Sequence, residues 1–298
     1  MEKEEVLVSV LVVSYNAGNY ILDLLESIKG QKYSKLELVI ADDHSKDQTV
    51  EKIKQWLSDN RERFERVCLL ASDFNRGTTR NLNYGLKECK GEFIKIIAAD
   101  DILMPDCISD CLKACQENNW GILLGEAEWV LEDGITHTPH NENKEESSAF
   151  YNMSAKQQHE ELLKSNNVIC SPTAFYSREF MQRNHGFDEQ YALIEDYPFW
   201  LKITANGEHI NHFDKVVVKY RQSMTSATNP EKAVQIYNVR ISKDSKKIFY
   251  RQRFKGLLKS RQIKILWQNV RKYLIRDLVI LLGNNSGNKL CYGLTRFE

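Results

Sequence analysis

The sequence has no net charge, no CxxC pair, no GxGxxG fingerprint, no internal repeat and no apolar run long enough to cross a bilayer. Val6–Val13 has the length of a strand, whereas a spanning helix needs about 20 apolar residues. Tyr273–Leu282 is broken by Arg276 and Asp277 and is excluded as well. The opening residues Met1-Glu2-Lys3-Glu4-Glu5 lack the basic region of a secretory leader. Without GxGxxG after the first strand, a dinucleotide-dependent oxidoreductase is disfavoured. Seven cysteines is an odd number, and their spacing is not that of a disulfide framework. Cys107, Cys111 and Cys115 recur every four residues, on one face of a helix. With no CxxC pair or nearby His, zinc gives way to reduced thiols packed in a core, which fits a cytoplasmic protein.

What is present is unevenly spread. The chain balances 41 Lys and Arg against 41 Asp and Glu. From Arg240 to Glu298, however, fifteen basic residues face three acidic ones, an excess of about +12 that the preceding residues offset. Such a basic tail points to a polyanionic partner, nucleic acid or an anionic membrane surface.

Val6–Val13 is continuously apolar and β-branched, the pattern of a strand buried on both faces. After the loop Ser14–Asn19, Tyr20–Lys29 carries Ile21, Leu24, Leu25 and Ile28 at helical spacing. Leu36–Ala41 reads as a strand, Asp47–Asn60 as a helix and Val67–Ala71 as a third strand. Gly77–Lys90 reads as a helix, Glu92–Ala98 as a fourth strand, Pro105–Asn118 as a helix and Gly121–Leu131 as further strand. The polar stretch His137–Ser148 reads as a loop, Gln157–Leu163 and Phe199–Ala205 as helices, Val216–Tyr220 as a late strand, and Lys232 onward as basic helix. The β-α-β-α-β order predicts a mostly parallel, Rossmann-like α/β sheet flanked by helices, with ligands bound beyond the carboxyl ends of its strands.

Two acidic pairs stand at such strand ends, Asp42-Asp43 and Asp100-Asp101. Adjacent carboxylates that stay ionised call for a cation or a donor-rich ligand, and Mg²⁺ or Mn²⁺ takes one or two carboxylates together with phosphate oxygens. The competing role is capping, because Asp suits a helix N-cap and Asp43-His44-Ser45 suits a turn. Glu195-Asp196, set between apolar residues, is a candidate general base or a helix cap. His209 and His212 have no partner motif and read as surface or core histidines.

Taken in order, the motifs resemble those of family 2 glycosyltransferases of the GT-A fold, especially the bacterial enzymes of surface-polysaccharide synthesis. Val10–Asn16 resembles the opening strand and loop, and Val39–Thr49 the nucleotide-binding strand and turn. Asn75-Arg76-Gly77, Arg80-Asn81 and Gly85 resemble the segment before the metal site, and Gly91–Asp106 the metal-binding strand. Gly186–Glu189 with Glu195-Asp196 resembles the acceptor-side motif, and Val217–Arg221 the closing strand. The resemblance covers residues 6–226 and implies a catalytic domain over 1–226 with a basic helical extension over 227–298. It implies that Ser14, Tyr15, Asn16, Asp42, Asp43, Arg80 and Asp100 contact a UDP-sugar. It implies that Asp100 and Asp101 hold Mg²⁺ or Mn²⁺, and that Asp196 is the base of an inverting transfer. Two positions depart from the pattern. Ala98 stands where many relatives carry Asp, and Tyr220-Arg221-Gln222-Ser223-Met224 lacks the His that often follows.

The acceptor implied is a saccharide or a polyprenyl-linked saccharide. A nucleotidyltransferase making nucleotide sugars is the alternative, although Ser14–Asn19 contains a single glycine, Gly18, where such enzymes carry a glycine-rich loop. A degenerate nucleotide- or partner-binding member is the non-enzymatic alternative. The tail over 245–282 mixes Leu, Ile and Trp267 with Lys and Arg, which fits either an anionic membrane interface at the inner face of the plasma membrane or packing on the catalytic domain. Nucleic acid is disfavoured, since no motif for it is present.

Overall fold

The computed structural model describes residues 5–131, 136–137, 144–164, 169–222 and 239–282. The chain opens with β1 (Val8–Ser14), α1 (Ile21–Lys29), β2 (Leu36–Asp42), α2 (Thr49–Asn60) and β3 (Arg66–Ala71). It continues through α3 (Thr78–Glu88), β4 (Phe93–Ala98), β5 (Ile102–Leu103), α4 (Cys107–Asn118), β6 (Ile122–Leu131) and β7 (Thr136–His137). Then come α5 (Lys144–Tyr151), α6 (Ala155–Lys164), β8 (Phe175–Ser177), α7 (Arg178–Arg183), α8 (Asp196–Ala205) and β9 (Asn211–Gln222). The tail forms α9 (Val239–Ile248), a π-helical turn Phe249–Arg253, α10 (Phe254–Lys259) and α11 (Ile263–Leu282).

The strands form one mixed sheet in the order β3-β2-β1-β4-β8-β6-β9-β5, with β7 paired to β6. The half β3-β2-β1-β4 is parallel, as the β-α-β-α-β order predicts. Beyond β4 the sheet is mixed: β8 is antiparallel to β4 and β6, β9 is parallel to β6, and β5 is antiparallel to β9. The period of two explains why both faces of β1 are apolar. Val8, Val10 and Val12 pack with α1, α2 and α4, while Leu11 packs with Val39, Ala41 and Ile94 under α3. Helix α3 comes close because Gly85 has no side chain; a Cβ there would lie 2.4 Å from Leu11 Cδ1. Cys107, Cys111 and Cys115 are buried on the inner face of α4, as their four-residue spacing predicts.

A second core joins α6, α7, α8, β6 and β8 to the tail. Phe199 and Trp200 of α8 are wholly buried against Tyr176 and Phe187. Ile248, Phe249, Leu257, Leu266 and Tyr273 of the tail enter the same core. The buried Arg253 donates from Nε to Leu163 O at 2.9 Å and from Nη2 to Lys164 O at 3.1 Å. The tail therefore packs on the α/β body, one of the two arrangements its composition allowed.

Three differences from the sequence reading have physical causes. Lys144–Ser148, read as loop, belongs to α5, whose end is anchored by Phe150 in the second core. The late strand runs from Asn211 because His209 and Asn211 pair and Asn211 Nδ2 donates to Ile122 O, extending the edge contact with β6. The short elements β5, β8 and α7 have too few residues to show a period. The boundary expected at 226/227, and the start of basic helix at Lys232, lie outside the described residues. No helix among the described residues is long and apolar enough to cross a membrane.

Candidate active site

Strand order reverses between β1 and β4, the position where doubly wound sheets open a crevice. Ser14 pairs in register with Asp42, and Val13 with Ala98. Asp43 N donates to Ser14 O at 2.9 Å and Ala99 N donates to Val13 O at 3.0 Å. Both acidic pairs therefore leave the sheet at one edge, beside the loop that follows β1.

The first pair is heavily engaged within the chain. Asp42 is fully buried; Ser45 N donates to its Oδ1 at 2.9 Å and Ser45 Oγ to its Oδ2 at 2.5 Å. This closes the turn that the capping alternative anticipated. Asp43 accepts Arg76 N on Oδ1 at 2.6 Å and Gly77 N on Oδ2 at 2.9 Å. Gly77 has φ +84°, a conformation that favours glycine, and a Cβ there would meet Ala192 O at 3.3 Å. The Arg76 guanidinium lies 4.4 Å from the Phe74 ring centroid and 4.6 Å from that of Tyr84, which stiffens the loop around Asp43.

The loop after β1 is pinned to the same turn. Asn16 N donates to Ser45 Oγ and Lys46 N to Asn16 Oδ1, each at 2.8 Å. Tyr15 is half exposed at the mouth, while the buried Ser14 Oγ has no hydrogen-bond partner. Arg80 stands 63% exposed on α3, with Glu189 Oε2 as its ionic contact at 3.8 Å.

The second pair differs. Asp101 is 1% exposed; its Oδ1 accepts Arg221 N at 3.0 Å, and its Oδ2 has no hydrogen-bond partner. Burial, and then the neighbouring Asp100 carboxylate, push the Asp101 carboxyl well above the usual range. Burial also raises Asp100, with Arg221 opposing. Two desolvated carboxylates, one with an orphaned oxygen, fit a hard divalent cation. Among the described residues no group of three or more His, Cys, Asp or Glu is arranged to hold a metal. The pair would thus share its cation with ligand oxygens, as Mg²⁺ sites commonly do. Ala98, at the departure from the family pattern, is exposed at this edge and contributes no ligand.

Sequence reasoning quoted Arg221 only as part of a strand. In the fold, its Nε donates to Asp100 O at 3.0 Å, its Nη2 meets Asp23 Oδ2 at 3.0 Å, and its guanidinium lies 4.9 Å from the Tyr20 ring centroid. Arg221 is the arginine that braces the second pair. Its place at the end of the closing strand was the signal available. Beneath the pair, the fully buried Lys95 donates to Pro172 O and Ala174 O, and its charge favours the ionised form of Asp101.

Asp196 opens α8, where the helix dipole favours an anion, and its Oδ1 accepts Tyr197 N at 2.6 Å. Burial, and then the neighbouring Asp196 carboxylate, push the Glu195 carboxyl up to about 8. The segment before this pair is tied to the start of α3. Thr79 N donates to Ala192 O at 3.3 Å and Thr79 Oγ1 donates to Tyr191 O. His212 pairs with Glu126 at 2.9 Å and stacks on Tyr151, and His209 Nδ1 faces Asn211 Oδ1 at 2.9 Å, so both histidines serve packing networks.

The family model for Glycosyl transferase family 2 matches residues 9–184, and the chain belongs to that family. WfgD of Escherichia coli, a UDP-Glc:alpha-D-GlcNAc-diphosphoundecaprenol beta-1,3-glucosyltransferase, is 26% identical over 227 residues, 76% of this chain and 81% of WfgD. TarS of Staphylococcus aureus (strain Mu50), a poly(ribitol-phosphate) beta-N-acetylglucosaminyltransferase, is 25% identical over 213 residues, 68% of this chain but only 36% of TarS. The crystal structure of TarS 1–349 with UDP superposes with a TM-score of 0.57 at 22% identity, covering 84% of this chain and 74% of that one. The mannosyltransferase PcManGT of Pyrobaculum calidifontis, solved with GDP-Man and Mn²⁺, gives 0.59 at 19%, covering 85% and 64%. These likenesses establish the GT-A fold that the motifs implied.

Proposed function

We propose that this glycosyltransferase moves a sugar from a UDP-sugar to a saccharide or polyprenyl-linked saccharide, inverting the anomeric configuration. The observation that carries the reading is the Asp100-Asp101 pair at the end of β4, with Asp101 Oδ2 buried and unpartnered. Relatives lend support: WfgD is named for a UDP-Glc donor and a diphosphoundecaprenol acceptor, and TarS has been solved with UDP-GlcNAc.

In this reading Ser14, Tyr15, Asn16, Asp42, Asp43 and Arg80 receive the nucleotide, and Asp100 and Asp101 would hold Mg²⁺ or Mn²⁺. A bound cation supplies charge stabilisation to the leaving diphosphate. Arg221 holds the backbone of Asp100 in place. Asp196 takes the proton of the acceptor hydroxyl as that oxygen bonds to the anomeric carbon and the sugar–phosphate bond breaks opposite it.

The test is thermal stability with UDP, GDP and CDP, each with and without Mn²⁺. Selective, Mn²⁺-dependent stabilisation by UDP is expected. Asp101→Asn keeps an acceptor for Arg221 N but removes the charge, and should abolish the Mn²⁺ dependence. Stabilisation by GDP alone overturns the uridine assignment, and a metal-independent shift in the native chain overturns the metal site.

A further inference from the structure

Helix α11 leaves a stripe of large apolar side chains in water. Ile263 is 44% exposed, Trp267 66%, Leu274 61%, Leu278 48% and Leu281 82%. At 100° per residue these five positions fall within about 60° of one another round the helix. Leu266 and Tyr273, which enter the second core, lie about 60–80° to one side. The exposed Lys264 and Arg271 lie about 20–40° beyond the stripe's other edge. The helix therefore presents three adjacent strips: one packed, one apolar and bare, one basic. Isolated exposed apolar residues are ordinary, but an aligned stripe that includes a Trp marks an interaction face.

The charge around the stripe selects the partner. Lys255 and Lys259 of α10 are exposed, as is Leu258 between them in sequence. Both acids of the described tail are engaged: Asp277 pairs with Lys246, and Asp244 accepts Leu193 N at 2.8 Å. What remains at the surface is an apolar stripe bordered by uncompensated positive charge. A second copy of the chain would bring like charges together, whereas an anionic bilayer offers hydrocarbon to the stripe and phosphate to the lysines and arginines.

We propose that the exposed face of α11, with α10 beside it, docks the protein on an anionic lipid surface. Trp267 and the leucines enter the interfacial region, and Lys255, Lys259, Lys264 and Arg271 meet the headgroups. The same helical unit grips the segment that leads to Glu195-Asp196. Asp244 holds Leu193 N, Lys247 Nζ donates to Gln190 O at 2.9 Å, and Gln252 Nε2 donates to Tyr191 OH at 3.2 Å. Docking thus fixes the membrane relative to the segment carrying the proposed base. The docking itself does not depend on the catalytic reading.

The test is flotation of the full chain with vesicles of phosphatidylcholine alone or with 30% phosphatidylglycerol (a fraction of about one-third, to give a strongly anionic surface). The native protein should float with the anionic vesicles, less at high salt, and only weakly with the neutral ones. Trp267→Ser/Leu274→Ser, both at exposed positions, should keep the native melting temperature yet lose binding about tenfold or more. Lys264→Glu/Arg271→Glu should lose the preference for anionic vesicles. Equal flotation of native and variant proteins overturns the proposal, as does absence of native binding. A native dimer that the Trp267→Ser/Leu274→Ser variant cannot form would reassign the face to a second copy. Transfer to a water-soluble acceptor should be unchanged in these variants, which separates a failure of docking from a failure of the catalytic reading.

Discussion

Glu195→Gln should make the protein more stable than the native chain in alkaline solution and leave it nearly unchanged in acid. Glu195 immediately precedes α8 without capping it through its side chain, and burial followed by the charge of Asp196 raises it from 4.5 to about 8. The folded state therefore holds a proton there that the unfolded chain releases above about 4.5. Between those values the native state binds more protons than the unfolded state, so stability falls as pH rises. The contribution is complete below 4.5 and is lost as pH passes 8. A fully enclosed group shifted this far would be worth about 4–5 kcal/mol, but Glu195 keeps partial solvent contact, so about 1–2 kcal/mol is expected. Gln has the shape of the protonated acid and does not titrate. Urea unfolding of both proteins at pH 5, 7 and 9 should show curves that coincide at pH 5 and separate by about 1–2 kcal/mol at pH 9, with the variant more stable. Titrating groups other than the neighbouring Asp196 are common to both proteins and cancel in the difference. Parallel curves across this range would refute the assigned proton, and a variant less stable at pH 9 would reverse its sign.

Asp43→Ala should cost about 2–4 kcal/mol in urea unfolding, because it strands the N–H groups of Arg76 and Gly77, and Asp43→Asn should cost about half as much. Gly85→Ala should cost about 1–2 kcal/mol: the new methyl meets Leu11 Cδ1 at 2.4 Å and Ala41 Cβ at 3.1 Å, a clash only partly offset by the better helix former. Asp196→Asn should leave the affinity for UDP within about twofold and lower transfer by about 10²-fold or more, read from product formation at saturating donor. Equal loss of binding and turnover would remove Asp196 from the role of base.

The parts of the fold legible in the sequence are those whose burial is complete. β1 reads as an apolar run, and β2 and β4 as apolar runs each interrupted by one buried charge, Glu37 and Lys95, because helices cover both of their faces, and α1 reads as a helix because Ile21, Leu24, Leu25 and Ile28 share its buried side. β8 has three residues and β5 two, too few for a period, and both exist because neighbouring strands offer them hydrogen bonds. Lys144–Ser148 is polar in composition, yet belongs to a helix because Phe150, two residues beyond, has a core to enter. The acidic pairs were legible as candidate ligands because each lies at the carboxyl end of a strand. The division of labour between them was not, because it depends on distant donors. Arg76 and Gly77, more than thirty residues on, occupy Asp43, whereas Arg221, 120 residues on, reaches only one oxygen of Asp101.

Those distant contacts explain how a crevice lined by loops stays in register. Asp43 holds Arg76 and Gly77, and Gly77 starts the helix whose Thr79 binds Tyr191 and Ala192. Leu193 is held in turn by Asp244 of α9. A single run of hydrogen bonds therefore links the turn after β2, the segment before Glu195-Asp196 and the tail. Each bond is individually worth about 1 kcal/mol, too little to hold a loop rigid alone. In series between two packed cores they leave the loops no independent freedom. A substitution at Asp43 should accordingly disturb the setting of Asp196 as well as the nucleotide side, although no hydrogen bond joins the two carboxylates directly. The measurable consequence is that Asp43→Asn lowers turnover at saturating donor as well as raising KM. A change confined to KM would mean that the acceptor-side segment is held by the second core alone.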